Sequence, residues 1–187
     1  MKLESTKNSR LALVGFGFDE NSSFMKGAAE APSLIRDAFF SDSSNSWSET
    51  GIDLSQEGLI LDAVTTGCLS AANAFDEIQT TISLLLKQQI KPISLGGDHS
   101  ITYPIIRAFS RKFPKLEILH FDAHPDLYHE FQGNRYSHAS PFARIMEEHL
   151  LLNRTNKDWH RQLLSGTTIC RRIEIPEKIV CAINYDT

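Results

Sequence analysis

Four residues in this 187-residue chain have the types and spacing of metal ligands. Asp122, His124 and Asp126 stand at i, i+2 and i+4 in Asp122-Ala123-His124-Pro125-Asp126, so an extended backbone carried past the strand end would point all three the same way. His99 lies in Gly96-Gly97-Asp98-His99-Ser100, where two glycines free the backbone to turn its imidazole toward the same place. Carboxylates are prominent and no thiolate is present, which ranks Mn²⁺ ahead of Zn²⁺ and leaves Ni²⁺ open. Two such ions, ~3.5–4 Å apart and bridged by a carboxylate, lower the pKa of a shared water and set a hydroxide against an electrophilic carbon. Asp122 is the candidate bridge. The competing reading, in which each residue caps a turn or a helix start, suits any one of them but not all four at these spacings.

Three further polar residues surround the clusters. Asp98 is expected to orient its neighbour His99 as a supporting carboxylate. His120 shares parity with Asp122 but lies deeper in the strand, and a satisfied core histidine is the favoured reading. His138, in the polar run Gly133-Asn134-Arg135-Tyr136-Ser137-His138, is of the residue type suited to delivering a proton to a departing amine. A helix cap or surface histidine is an equal alternative for it.

The elements that must position these residues are legible as alternating strands and helices. Leu11–Phe16 is a short apolar run closing on glycines, the pattern of a buried first strand. Ala31-Pro32-Ser33 opens a helix through Leu34, Ile35, Ala38 and Phe39, and residues 41–50 form a Ser-rich surface connection. A second strand over 59–64 precedes a helix over 71–89, with Ala74, Ile78, Ile82 and Leu85 at helical spacing, ended by Lys91-Pro92. Then come a strand over 93–97, a helix over 99–112 and a buried strand over 116–121. This order predicts an α/β fold with a parallel sheet covered by helices, and ligands outside the carboxyl ends of its strands. The two ligand clusters are expected on neighbouring strands.

Composition bounds the function classes. Hydrophobic residues make up 41% and charged residues 22%, an ordinary globular balance. A formal net charge of -4 with scattered Lys and Arg supplies no basic field, so nucleic acid is not an expected partner. Three cysteines, without a C-x-x-C pair, suggest neither a disulfide framework nor a zinc knuckle, and no apolar run is long enough for a membrane span. The expected location is the cytoplasm, with a mitochondrial or plastid one left open. The glycosylation sequons at Asn21-Ser22-Ser23 and Asn153-Arg154-Thr155 are taken as chance matches.

The motifs carry a resemblance. Asn21-Ser22-Ser23-Phe24 with Gly27 and Ala31-Pro32, Gly96-Gly97-Asp98-His99-Ser100, Asp122-Ala123-His124-Pro125-Asp126 and Tyr136-Ser137-His138-Ala139-Ser140 are similar to those of the arginase/agmatinase (ureohydrolase) family, especially its plant-type members. The likeness runs over roughly residues 11–147. It implies a three-layer α/β/α fold, a binuclear manganese centre and hydrolysis of a guanidinium group, on arginine or agmatine, to urea and an amine. By motif position, His99, Asp122 and Asp126 hold one ion, Asp122 and His124 the other, and His138 is the catalytic histidine. Asn134 and Ser137 fall in the loop that holds the substrate tail. A complete protein of this kind is expected to form a homo-oligomer, a trimer or a hexamer.

The family draws its remaining metal ligands from a later Asp-x-Asp motif, which this sequence lacks. Ile183-Asn184-Tyr185-Asp186 has Asn at the first position and comes far too early. The expectation is one partial domain over 1–187, shortened at its carboxyl end, with a divergent tail over 149–187, reduced stability and little or no turnover. Two alternatives stand beside a ureohydrolase of arginine or agmatine: a catalytically silent subunit associating with full-length relatives, and a hydrolase of guanidine or another guanidino compound.

Overall fold

The structure is a computed structural model that describes residues 11–56, 58–66, 69–114, 116–150 and 179–183. Its elements follow the order β1 (Leu11–Phe16), α1 (Ala31–Phe39), β2 (Ile60–Thr66), α2 (Ala74–Lys87), β3 (Lys91–Gly96), α3 (Thr102–Lys112), β4 (Glu117–Phe121), α4 (Pro141–Glu147) and β5 (Ile179–Ile183), with single 3₁₀ turns at Ala28–Glu30 and His99–Ile101. Within the tail, Ile179–Ile183 forms β5. Residues 151–178 and 184–187, with Asn153 and the 184–186 stretch, lie outside the described residues.

Among the described residues the strand pairs are parallel. β1 is central in a ladder ordered β2-β1-β3, with Leu11 opposite both Ile60 and Lys91. β4 pairs with β5 in a second ladder, Phe121 opposite Ile183. Ala12, Val14 and Phe16 are fully buried and Leu13 nearly so, which is why β1 reads as an unbroken apolar run rather than an alternating one. The expectation of neighbouring strands for the two ligand clusters needs correction: among the described residues β3 and β4 belong to different ladders. They are tied through α3 instead.

That helix is shared by two cores. Ile105 and Ala108 join Ala12, Val14 and Phe16 of β1 and Ile78, Ile82 and Leu85 of α2. Tyr103 and Ile106 join Leu116 with Phe142 and Ile145 of α4. The helical spacing of α2 delivers its expected stripe, since Ala74, Ile78, Ile82 and Leu85 are all fully buried. Its carboxyl end falls earlier than Lys91-Pro92: Gln89 takes a left-handed φ of 63°, and the Ile90 N–H returns to the Leu85 carbonyl at 3.0 Å. Pro92 then sits inside β3 opposite Ala12. α1 forms where its apolar spacing and Pro32 place it, yet Leu34 and Ile35 stay 65% and 48% exposed.

β1 lies between β2 and β3, so the chain leaves β1 for one side and returns to the other. Ligands gather at the carboxyl ends of strands around such a switch in direction. The segments after β1 and β3 carry Asn21 and the Asp98-His99 pair respectively.

Candidate metal centre

The segment after β3 is fixed by close backbone approach. The Asp98 N–H donates to the Phe18 carbonyl at 2.8 Å, and a Cβ on Gly97 would fall inside van der Waals contact with that carbonyl. Gly97 is therefore required for want of a side chain, and its φ is not left-handed. The turn expected from the two glycines is really a tight crossing against the segment after β1.

Asp98 holds this segment together rather than orienting His99. Its Oδ1 accepts from the Ser100 N–H at 2.9 Å and the Ser100 hydroxyl at 2.5 Å, and its Oδ2 accepts from the Asn21 N–H at 2.9 Å. Burial raises the Asp98 carboxyl above its ordinary value, against those hydrogen bonds. His99 is instead oriented by Thr102, whose hydroxyl lies 3.1 Å from Nδ1. Its Nε2 is thereby turned toward Asp126 Oδ2, 3.1 Å away, and Asp122 Oδ2, 3.8 Å away.

The carboxylates converge by a route other than a continued strand. β4 ends at Phe121. Asp122 Oδ1 then accepts from the backbone N–H of His124 at 2.8 Å, an aspartate turn that bends the chain out of extension. Asp126 adopts a left-handed φ of 48°, and its carbonyl accepts from the Phe142 N–H at 3.1 Å. This returns the Asp126 carboxylate to the interior, with 7% of its side chain exposed, beside Asp122 with 2%. The same bend carries His124 outward, leaving its side chain 61% exposed with Nδ1 3.7 Å from Asp122 Oδ1. Asp122 thus turns one oxygen to the buried cluster and the other to the His124 side.

His120 is not a satisfied core residue. Its Nε2 lies 3.3 Å from Asp122 Oδ2 without making a hydrogen bond. Its ring stacks on His99 at 5.5 Å between centroids and packs on Phe142 at 4.3 Å. His99, His120, Asp122 and Asp126 each offer one donor atom, all within 4.8 Å of one another. The Nε2 atoms of both histidines and the Oδ2 atoms of both aspartates are buried without a hydrogen-bond partner. Such atoms are costly to leave unpaired, and a divalent cation among them answers all four at once. The site therefore fits a metal ion. Burial, and then the nearby His99, push the His120 imidazole below its ordinary value despite Asp122 and Asp126. Burial alone would raise the Asp122 carboxyl, but the His124 N–H and the imidazoles of His120 and His99 outweigh it and hold it low. Both groups are biased toward the protonation states that bind metal.

His138 sits in a half-buried loop beside the segment after β1. Its Nδ1 is 3.1 Å from the Asn21 carbonyl oxygen and 3.2 Å from the Ser137 hydroxyl, while Nε2 is 3.4 Å from the Ser23 hydroxyl. A carbonyl only accepts, so Nδ1 carries the proton and Nε2 is left to exchange one. Asn134 donates through Nδ2 to Asn21 Oδ1 at 2.9 Å and accepts from the Tyr136 N–H at 2.8 Å; Ser137 is 2% exposed. Asn21 emerges as a hub, since its Nδ2 also donates to Ser100 at 3.1 Å. Its side-chain amide is thus committed to the site. No local pattern marked it as such, beyond its place in the Asn21-Ser22-Ser23 motif.

Parallel strands that end on convergent histidine and aspartate donors define an α/β metal-centre protein. More particularly, the chain belongs to the arginase family, whose sequence pattern it matches over residues 9–157. Over 145 residues it is 43% identical to the mitochondrial arginase of Medicago truncatula, an alignment covering 73% of this chain and 43% of that protein. The solved arginase structure from Medicago truncatula superposes with a TM-score of 0.68 at 38% identity, covering 84% of this chain and 55% of that one. The agmatine ureohydrolase of Thermoplasma volcanium gives 0.67 at 29% identity, over 78% and 47%. The fold is thus the α/β arginase fold, in part. The chain spans only 41–43% of the length of the plant arginases it matches.

Proposed function

We propose that this chain is, or forms part of, a manganese-dependent ureohydrolase that splits a guanidinium group of arginine or agmatine into urea and an amine. The carrying observation is the set of four buried, unpartnered donor atoms on His99, His120, Asp122 and Asp126. In this reading His99, Asp122 and Asp126 hold one ion, and Asp122 and His124 hold the second. The family membership and the arginase and agmatine ureohydrolase names of its relatives support the substrate class. When bound, divalent ions lower the pKa of water enough to supply a nucleophile near neutrality.

The chain's own residues do the rest. The two oxygens of Asp122 face different histidines, so one carboxylate reaches both positions. Asp98 and Asn21 clamp the segment that carries His99. His138, with its Nδ1–H held at the Asn21 carbonyl, takes up a proton at Nε2 and passes it on to the leaving amine. The substrate tail meets the loop of Asn134 and Ser137, with half-buried Asn134 the more accessible. The reading includes a homo-oligomer, trimer or hexamer, of the complete protein. It places the protein in the cytoplasm, with the organelle named for the Medicago relative as the competing location.

A second reading is favoured by one observation: His124 lies outside the four-donor cluster, so among the described residues the second ion has few donors. There the chain is a silent subunit that joins a complete relative. Urea release from arginine, agmatine and guanidine separates these readings and the guanidine alternative. Mn²⁺-dependent release that disappears in Asp122→Ala supports the enzyme and names its substrate. No release from the folded, metal-loaded chain, together with co-purification on a complete homologue, supports the silent subunit.

A further inference from the structure

We propose that Tyr136 is a positioning residue, whose ring pins the loop of Asn134 and His138 to α2 and α3 in the orientation that meets the substrate. This rests on the reading above, in which that loop holds the substrate tail and supplies the proton.

The loop is stiff within itself. Phe131 and Asn134 exchange backbone hydrogen bonds of 3.0 Å in both directions, and Gln132 and Gly133 between them take left-handed φ values of 52° and 77°. That is the closure of a two-residue hairpin turn. The Tyr136 N–H donates to Asn134 Oδ1 at 2.8 Å, and the Phe131 ring meets the His138 ring edge-on at 5.8 Å. Asn134 and His138 therefore turn with the loop, and whatever fixes the loop against the core fixes both.

Tyr136 makes a contact of that kind. Its ring lies 5.6 Å from that of Phe75 on α2 and 5.9 Å from that of Tyr103 on α3, and those two lie 5.8 Å apart. The three rings close a triangle at favourable aromatic separations. Its other two corners are themselves held. Tyr103 is buried and its hydroxyl donates to Glu148, which also pairs with Arg107 at 3.0 Å. Phe75 packs on Phe18, whose carbonyl receives the Asp98 N–H, so the triangle joins the loop to the segment that carries His99. Asn21 and Arg144 hold the loop through hydrogen bonds, and Tyr136 adds the apolar hold. These are contacts of the ring, so the hydroxyl is dispensable.

Nuclear magnetic resonance of the full folded chain is the test. In the unmodified protein, Overhauser contacts should join the Tyr136 ring to Phe75 and Tyr103, and the Asn134 side-chain amide, bonded to Asn21, should exchange slowly with water. Tyr136→Ala should speed that exchange roughly tenfold, the scale of losing two aromatic contacts, and shift the His138 imidazole signals well below the unfolding temperature. Tyr136→Phe should leave both unchanged. A role in stability alone would lower Tm in Tyr136→Ala without moving either signal, and that result overturns the proposal. So does a Tyr136→Phe variant as altered as Tyr136→Ala, or the absence of the ring contacts in the unmodified protein. Should Tyr136→Ala fail to fold, Tyr136→Leu, which keeps apolar bulk without a ring, takes its place, and the contacts of the unmodified protein decide in any case. In urea release, Tyr136→Ala should lose roughly a hundredfold in kcat/KM, the scale of displacing a positioning group by about 1 Å. Both kcat and KM should carry the loss, because His138 and Asn134 share the loop, and Tyr136→Phe should restore them. No release from the unmodified chain removes the hydrolase reading and leaves the resonance result to decide this one. Release with unchanged kinetics in Tyr136→Ala removes this one and leaves the hydrolase reading standing.

Discussion

Asp122 does two things that its spacing did not disclose together. Alternation along an extended chain placed Asp122, His124 and Asp126 on one side, but the Asp122 carboxylate accepts the His124 N–H and ends the extension at once. Asp122 and Asp126 still meet, through the left-handed turn at Asp126, and His124 is carried outward. The residue types at the site were legible; their paths to it were not, because a side-chain to backbone hydrogen bond overrides strand periodicity. His120 was legible in parity with Asp122, yet a histidine inside an apolar strand resembles core. Gly97 was legible as a necessary glycine for the wrong reason. Gly97→Ala sets a Cβ against the Phe18 carbonyl and should cost about 3 kcal/mol, the upper part of the range for overpacking, measurable by chemical denaturation. Arg144, 3% exposed, donates to the carbonyls of His129 and Arg135 and to Glu147, binding the loop before His138 to α4. Arg144→Ala should cost about 2–3 kcal/mol, since it leaves those acceptors without their charged donor.

At the scale of elements, local pattern located β1 to β4 and α1 to α3, because apolar runs and helical spacing are local properties, while the short α4 went unread. Strand pairing is not local, and the split into β2-β1-β3 and β4-β5 could not be read from order alone. α1 shows the same limit, since periodicity gives a helix a stripe without saying what covers it. α2 has a definite cover: Ile82→Ala should cost about 2–5 kcal/mol, as a fully buried side chain facing β1 and α3 is removed. The end of α4 has a pH dependence. The Arg144 hydrogen bond, above all, holds the Glu147 carboxyl below its ordinary value, against burial and with help from Arg135 and His129. A carboxyl lowered by folding stabilises above its unfolded value of about 4.3, and that contribution is lost as pH falls through the folded value. Acidification through this range should therefore destabilise the protein more than Glu147→Gln, modestly because Glu147 is 42% exposed.

For the whole molecule, the arginase fold explains why two short ladders and their helices bring together one cluster of donors: α3 is common to both cores and fixes the ends of β3 and β4 relative to each other. Ile93 on β3 and Phe121 on β4 are 44% and 53% exposed, and Phe24, Met25 and Trp47 are more exposed still. Prepared as 187 residues alone, the chain should bind hydrophobic dyes and gain mass with concentration in sedimentation velocity. A dye-free monomer at all concentrations would count against that. The central claim is narrower: this chain carries a genuine divalent-metal site at His99, Asp122 and Asp126. Calorimetric titration of the folded chain with Mn²⁺, beside Asp122→Ala, tests it most directly. Saturable binding that is lost in the variant is predicted, whereas no binding, or equal binding by both, would contradict the account.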